Sequence, residues 1–320
     1  MRAVVVDRYG PPEVAQVLDV PSPAPRSGEV LVRVVAAPVS SGDARLRAGR
    51  FPNGFGVAAR LAMGFRGPRS SILGAFFSGD VAAVGDGVRG FAVGDRVSGA
   101  TGVRMGAHAE FILAKPERLV ATPASVSHDA AAAVLFGGTT ALDYLRDKAQ
   151  LTAGATVLVN GASGAVGTSA VQLARHVGAH VTGMTSEANF DLVRRLGADR
   201  VIDYRTTSLD DLHAAGERFD VVFDTVGTIT PTSGRQLLAD GGVLLLVVAS
   251  LGDMLTARGP VKSGPASESP ELMTEVLRLT AEGVLDPLIE ASLPLEQIVT
   301  AYERVDSGRK VGNIVVRPVA

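Results

Sequence analysis

The sequence predicts an α/β chain in which a parallel sheet with both faces covered is joined to a compact β-barrel. Three observations predict it. Residues 157–167 read VLVNGASGAVG, an apolar run that stops at a glycine turn. From there to residue 248, strand-like and helix-like stretches alternate. Before residue 123 the pattern is different: short β segments separated by turn residues.

The barrel comes first in the chain. Strands are predicted over 4–7, 29–36, 80–84, 96–98 and 109–113, punctuated by Gly85-Asp86-Gly87 and Gly94-Asp95. Short strands of this kind build a small barrel rather than a second parallel sheet. Helices are expected to begin near Ser127 and Thr139 and to lead into the parallel-sheet domain.

That domain opens with the strand 157–159, which ends at Asn160. Gly161, Gly164 and Gly167 follow at three-residue spacing. A helix over 168–177 then buries Val171, Leu173, Ala174 and Val177. A tight turn needs the φ/ψ freedom of glycine. A pyrophosphate needs close backbone approach and the free N–H groups of a helix N-terminus. The spacing is not GxGxxG, so a turn that binds nothing remains an alternative at this point. The next elements favour a dinucleotide. They are a strand over 180–184, a helix carrying Phe190, Leu192, Val193 and Leu196 and stopped by Gly197, and a strand at 201–202 before Asp203 and Tyr204. A helix over 209–215 and a strand over 219–223 follow, closed by Asp224-Thr225-Val226-Gly227. A helix over 231–238 and an apolar strand over 242–248 complete the set. Such alternation gives a right-handed parallel sheet that binds ligands at its strand C-terminal ends.

After Val248 the pattern changes again. Helices are predicted over 271–283 and over 295–306, the latter burying Ile298, Ala301, Tyr302 and Val305, with a last strand at 314–317. This tail is expected to return to the barrel. The resulting division is 1–123 for the first part of the barrel domain, 124–260 for the nucleotide domain, and 261–320 for the return. The stretches 47–71 and 252–270 read as loops.

Composition narrows the function. The chain has 320 residues, 46% of them hydrophobic, with 31 basic and 33 acidic residues and a net charge of −2. That balance attracts neither nucleic acid nor an anionic membrane. No apolar run approaches the roughly 20 residues of a membrane span. Cysteine is absent, which excludes disulfides, thiolate nucleophiles and cysteine-ligated metals. A cytoplasmic enzyme is the simplest expectation.

Several segments together resemble the medium-chain dehydrogenase/reductase superfamily and, within it, the zinc-independent quinone oxidoreductase-like branch. They are GPPEVAQVLDVPSPAP, GEVLVRVVAAPVSSGDARLRAG, VAAVGDGVRGFAVGDRVSG, GAHAEF, LFGGTTALDYL, VLVNGASGAVGTSAVQLA, LVRRLGADRVIDY and AYERVDSGRKVGNIVV, in that order. The resemblance implies a Rossmann-type domain with a discontinuous GroES-like barrel domain. It also implies an NADPH-linked reductase acting on a quinone or an α,β-unsaturated carbonyl. Zinc-dependent relatives place a His-Glu pair where this chain has Ala75 and Phe76. With no cysteine and five histidines, the last three of them on or beside helices and strands of the nucleotide domain, no metal site is expected.

The expected cofactor contacts run along Asn160, Gly161, Ala162, Ser163, Gly164, Ala165, Val166 and Gly167, then Thr185, Ser186 and Asn189, Tyr204, Asp224, Val226, Ala249, Ser250 and Asn313. Ser186 and Asn189 suit a 2′-phosphate and point to NADPH, although Ala188 stands where related reductases carry a basic residue and Glu187 adjoins it. Ser186 also suits a helix N-cap. Tyr204 is a candidate to pack on the adenine. Ser40, Asp43 and Thr140 are the candidate catalytic residues. Ser40 stands where the family often has Asn; Asp43 and Thr140 equally suit helix caps. Phe51, Phe55 and Phe76 are expected at the substrate pocket. Arg60, Arg66 and Arg69 read as a solvated surface or as a lid for an acidic or phenolic substrate.

Alternatives to this function are a pathway-specific reductase of a polyketide-like intermediate and an NADPH-binding protein without turnover. In the expected strand order 242–248 is the sheet edge. Its apolar length predicts a homodimer through that edge, with coverage by the 252–270 loop as the alternative.

Overall fold

The computed structural model describes residues 1–51 and 53–318. They form two compact units. One comprises Met1–Phe51, Gly56–Phe136 and the chain from Glu268 onward; the other comprises a short piece ending at Phe55 and Gly137–Ser267. The first division falls later than 123 because the long helix His128–Leu142 contributes its first half to the barrel unit, and the second later than 260 because the strand Val261–Ser263 pairs in the nucleotide sheet.

In the barrel unit, strand Val30–Pro38 is the centre of the sheet. It pairs with Phe76–Val84 on one side and with both Phe111–Ala114 and Asn313–Arg317 on the other. Arg96–Ala100 and Leu119–Ala121 extend the sheet beyond Phe76–Val84. Val30, Val32 and Val34 alternate inward, as a one-sided strand requires. They pack with Val81, Val97, Leu73 and the helix Ile298–Asp306. Asn313–Arg317 lies antiparallel to Val30–Pro38, with Val316 opposite Ala37. Strands Ala15–Asp19, Leu119–Ala121 and Ile289–Pro294 were not expected from sequence. The first is largely exposed and the second is only three residues long, so neither gives a clear period-two signal.

The nucleotide unit is a six-stranded parallel sheet. Its order is Arg200–Asp203, His180–Thr185, Thr156–Asn160, Phe219–Asp224, Leu238–Leu246, Val261–Ser263. Counted within the sheet this is 3-2-1-4-5-6, so the order reverses between Thr156–Asn160 and Phe219–Asp224, where Asn160 pairs with Asp224.

Five expectations need correction. Strand 242–248 is not the edge: Leu244, Leu245 and Leu246 pair with Val261, Lys262 and Ser263. The stretch read as the 252–270 loop therefore supplies a sixth strand, and with it a helix, Leu251–Thr256, at its start. The 47–71 loop likewise contains the helix Gly56–Met63. Thr139 starts no helix; His128–Leu142 is one uninterrupted helix, and Thr140 is buried inside it. Gly137 lets that helix approach the glycine turn. A Cβ there would stand 2.2 Å from the Ala165 carbonyl oxygen. Finally, the helix predicted over 231–238 is only Pro231–Arg235, because Leu238 already belongs to the next strand.

A polar chain joins the barrel sheet to the first turn of His128–Leu142. The Ser98 hydroxyl donates to Ser78 (2.9 Å), Ser78 meets His128 Nδ1 (2.8 Å), and His128 Nε2 meets Asp80 (3.2 Å). Arg96, Arg33 and Asp129 complete the charged surroundings. Burial outweighs the Asp80 attraction and lowers the His128 pKa. A depressed histidine contributes stability above its unfolded pKa of about 6.5 and loses it as pH falls through the folded value. Denaturant unfolding between about pH 8 and about pH 5 is therefore expected to show a decline below pH ~6.5 that His128→Gln flattens. The same slope in both proteins would assign the decline to other groups.

Candidate cofactor and active site

The three turn glycines do different work. Gly161 has φ +82, and a Cβ there would meet Val226 Cγ2 at 2.5 Å and Thr225 Oγ1 at 2.6 Å. A Cβ on Gly167 would stand 2.0 Å from the Gly161 carbonyl oxygen. Those two positions are filled by the protein itself. A Cβ on Gly164 would meet only the Gly161 carbonyl oxygen, at 3.5 Å. Its conformation, φ −79 and ψ 174, is open to any residue. Neither turn geometry nor packing explains this glycine, so the space above it is left for something else.

That space lies at the start of the helix Ala165–Val177, whose buried face includes Val166, Ala170, Val171 and Ala174 and which ends at Gly178 in the left-handed region. Five other helix starts are closed by side chains, Ser40, Ser208, Thr230, Ser250 and Ser269 each accepting a backbone N–H, while Asn189 and Gln297 cap none. Gly164 makes no such bond. The turn thus presents backbone donors and the positive end of a 13-residue helix beside free space, which is what a pyrophosphate requires.

Around it the nucleotide unit gathers many of the expected residues. Ser163 Oγ accepts from Thr185 Oγ1 (2.9 Å) and from Asn189 Nδ2 (3.2 Å), and Asn189 also donates to Ser186 (3.2 Å). Ser186 therefore holds Asn189 instead of capping a helix with its side chain. No carboxylate stands at the end of the second strand, which finishes at Thr185. Asn160 donates to Asp224 (2.9 Å) and Thr228 (2.8 Å), and the fully buried Asp224 also accepts from the backbone of Val226, Gly227 and Ile229. Ala162 and Ala249 are buried, Val226 is exposed, and Tyr204 is 57% exposed, as a face offered to a ligand ring would be.

Sequence reasoning passed over Arg205. Its guanidinium pairs with Asp203 at 2.7 Å and holds that carboxylate well below the usual range, while Asp203 also accepts from the Glu187 N–H. A cation thus stands beside the Ser186–Asn189 turn although Ala188 supplies none. The run Asp203-Tyr204-Arg205 was its only signal. A cavity of ≈ 370 Å³ borders this end, lined by Glu187, Phe190, Asp203, Thr206 and Thr207 among others. Tyr144 also went unnoticed: its buried hydroxyl donates to the carbonyls of Leu246 and Gly264, and its ring stacks on Phe223.

The remaining candidates fall otherwise. Ser40 and Asp43 form a complete capping box on Ser41–Ala48, and the second Asp43 oxygen accepts from Gly74 N at 3.2 Å. Ser250 and Asp253 form a box on Leu251–Thr256. Asn313 belongs to the barrel unit and donates to the Pro287 carbonyl. Phe51 packs edge-on against Tyr9 in the barrel core, and Phe76 lies edge-on to Phe136 at 6.2 Å. Phe55 is in the nucleotide unit, where the neighbouring Asn53 carbonyl accepts from Leu251 N (2.9 Å).

The chain matches the family described as alcohol dehydrogenase GroES-like domain over residues 26–124 and the family described as zinc-binding dehydrogenase over residues 196–316. The quinone oxidoreductase of Pseudomonas aeruginosa is 30% identical to it, over 97% of this chain and 97% of that protein. The chain belongs to the medium-chain dehydrogenase/reductase superfamily, in its quinone oxidoreductase-like branch. The quinone oxidoreductase structure from Coxiella burnetii superposes with a TM-score of 0.87 at 29% identity, covering 99% of each chain. That of Escherichia coli quinone oxidoreductase complexed with NADPH gives 0.84 at 25% identity, covering 99% of this chain and all of the other. This medium-chain reductase is an NAD(P)H-dependent oxidoreductase. Among the described residues no group of three or more His, Cys, Asp or Glu could hold a metal, and no helix is long and apolar enough to cross a membrane.

Proposed function

We propose that the protein transfers hydride from NADPH to a quinone or an α,β-unsaturated carbonyl without a metal ion. The observation that carries this reading is the free volume at Gly164 before a helix without a side-chain cap, flanked by the hydroxyl-and-amide cluster of Ser163, Thr185, Ser186 and Asn189. The residues present fit a dinucleotide. Backbone N–H groups after Gly164 hold its pyrophosphate. Ser186 and Asn189, with Arg205 nearby, receive the 2′-phosphate, and Tyr204 packs on the adenine. Asp224 fixes the turn 225–229 at the switch point, so the nicotinamide end meets a rigid wall. The bound cofactor supplies the hydride. The protein has to orient it, exclude water and stabilise negative charge on the acceptor oxygen. With Ser40 and Asp43 engaged as a capping box, their role is to hold the segment that carries them, and no side-chain acid is needed to deliver a hydride.

Fluorescence titration is expected to show tighter binding of NADPH than of NADH. Equal or tighter NADH binding rejects the 2′-phosphate assignment and points to Glu187. Turnover of NADPH with quinones and enones is expected to survive exhaustive chelation, and loss of rate restored by zinc rejects the metal-free reading. NADPH binding with no turnover across such a panel favours a sensor over an enzyme. We also infer a homodimer, with the free sheet edge at Val261–Ser263 taking the place assigned to 242–248.

A further inference from the structure

We propose that the arm formed by Gly56–Met63 and the turn after it docks on an anionic lipid surface. The helix buries none of its residues. Val57 is 75% exposed, Leu61 64% and Phe65 71%. Val57 and Leu61 are four residues apart and share one helix face. An exposed apolar face of this kind marks an interaction surface.

Charge identifies the partner. Residues 44–79 contain six arginines and no lysine, aspartate or glutamate. Arg47 and Arg50 are engaged by Asp306 in the barrel unit. Arg60 and Arg69 fold back along the arm, donating to the Phe65 and Leu61 carbonyls (3.0 and 2.8 Å). Arg66 is exposed. Among the described residues none of these three has a carboxylate within ion-pair distance. The neighbouring loop repeats the pattern. Ser70 donates to the Arg104 carbonyl at 2.5 Å, and Val103 beside it is 80% exposed. The acids bordering these loops are already paired, Asp7 with Arg8 and Glu268 with Arg118.

Apolar side chains interleaved with unneutralised arginines match an interfacial lipid-binding element, where burial of the apolar face and attraction to anionic headgroups add. A second copy of this chain fits less well. A twofold contact through the patch would bring the same arginines together. The whole-chain charge of −2 averages this local excess away.

Flotation of the full chain with phosphatidylcholine–phosphatidylglycerol vesicles tests the proposal. Binding is expected at low salt, weakened by salt and absent with phosphatidylcholine alone. Val57→Glu with Leu61→Glu is expected to abolish flotation. Arg66→Glu with Arg104→Glu is expected to weaken it about tenfold or more. Circular dichroism confirms that each variant is folded; these side chains lie outside the barrel core, so native spectra are expected. Failure to float, equal flotation on both vesicle types, or variants that float like the parent would each overturn the proposal. So would a dimer seen by light scattering that Val57→Glu dissolves, since that identifies a second copy as the occupant.

Discussion

Gly164→Val is expected to weaken NADPH binding about a hundredfold or more, ~2.7 kcal/mol, with little change in the unfolding temperature. The backbone at Gly164 is extended, φ −79 and ψ 174, a conformation that a β-branched residue adopts readily. No protein atom lies within 3.4 Å of the added Cβ. The fold therefore tolerates the side chain, and only a ligand approaching the helix start meets it. Gly167→Ala is the informative control. Its single methyl would stand 2.0 Å from the Gly161 carbonyl oxygen and 2.8 Å from Ala162 Cα, so the turn itself must move. Isothermal titration and thermal unfolding separate the two. The first variant loses affinity and keeps stability; the second loses both. A Gly164→Val protein that binds NADPH like the parent means the pyrophosphate lies elsewhere.

The parallel sheet was legible because each of its first five strands carries a local signal: an apolar run followed by a turn residue, then helical spacing. The sixth strand, Val261–Ser263, carries none. Three residues with a lysine in the middle look like loop, and only pairing with Leu244–Leu246 makes them a strand. The dimer edge was misplaced for that reason. The error at Thr140 has a different origin. Gly137 and Gly138 have low helix propensity, but propensity is a weak prior. Here close packing of Gly137 on Ala165 overrides it. At the site, the glycine turn and the Ser186–Asn189 cluster were readable from residue type and spacing. The roles of Asp43 and Ser40 were not, because a Ser-x-x-Asp box serves capping and chemistry with the same atoms. Arg205 was hidden because its proximity to the second-strand turn arises from pairing of neighbouring strands, in which Asp203 lies opposite Thr185. No one-dimensional spacing encodes that.

Asp224→Ala is expected to lower both stability and cofactor binding more than any other polar substitution in the nucleotide unit. Asp224 is fully buried at the end of Phe219–Asp224. One oxygen accepts from Asn160 Nδ2 (2.9 Å), Val226 N (3.0 Å) and Gly227 N (3.1 Å); the other accepts from Gly227 N (3.1 Å) and Ile229 N (2.9 Å). Removing the carboxylate leaves those donors without their acceptor at a fully buried position. Each unsatisfied buried donor costs about 1–3 kcal/mol, and partial relaxation brings the expected total to about 3–5 kcal/mol. That corresponds to a fall in unfolding temperature on the order of 10 °C. Asp224→Asn keeps the shape and one acceptor oxygen but turns an NH2 toward backbone N–H groups. It is expected to fall between the parent and the alanine variant. Below its own transition, Asp224→Ala should still bind NADPH more weakly than the parent, because the turn 225–229 and the Asn160 amide have lost their common anchor. Thermal unfolding followed by titration at low temperature reads both effects. A parental unfolding temperature in Asp224→Ala would show that the turn is held by other contacts. A lowered temperature with unaltered affinity would place Asp224 in the fold alone, and the cofactor would then have to be oriented without the switch-point turn.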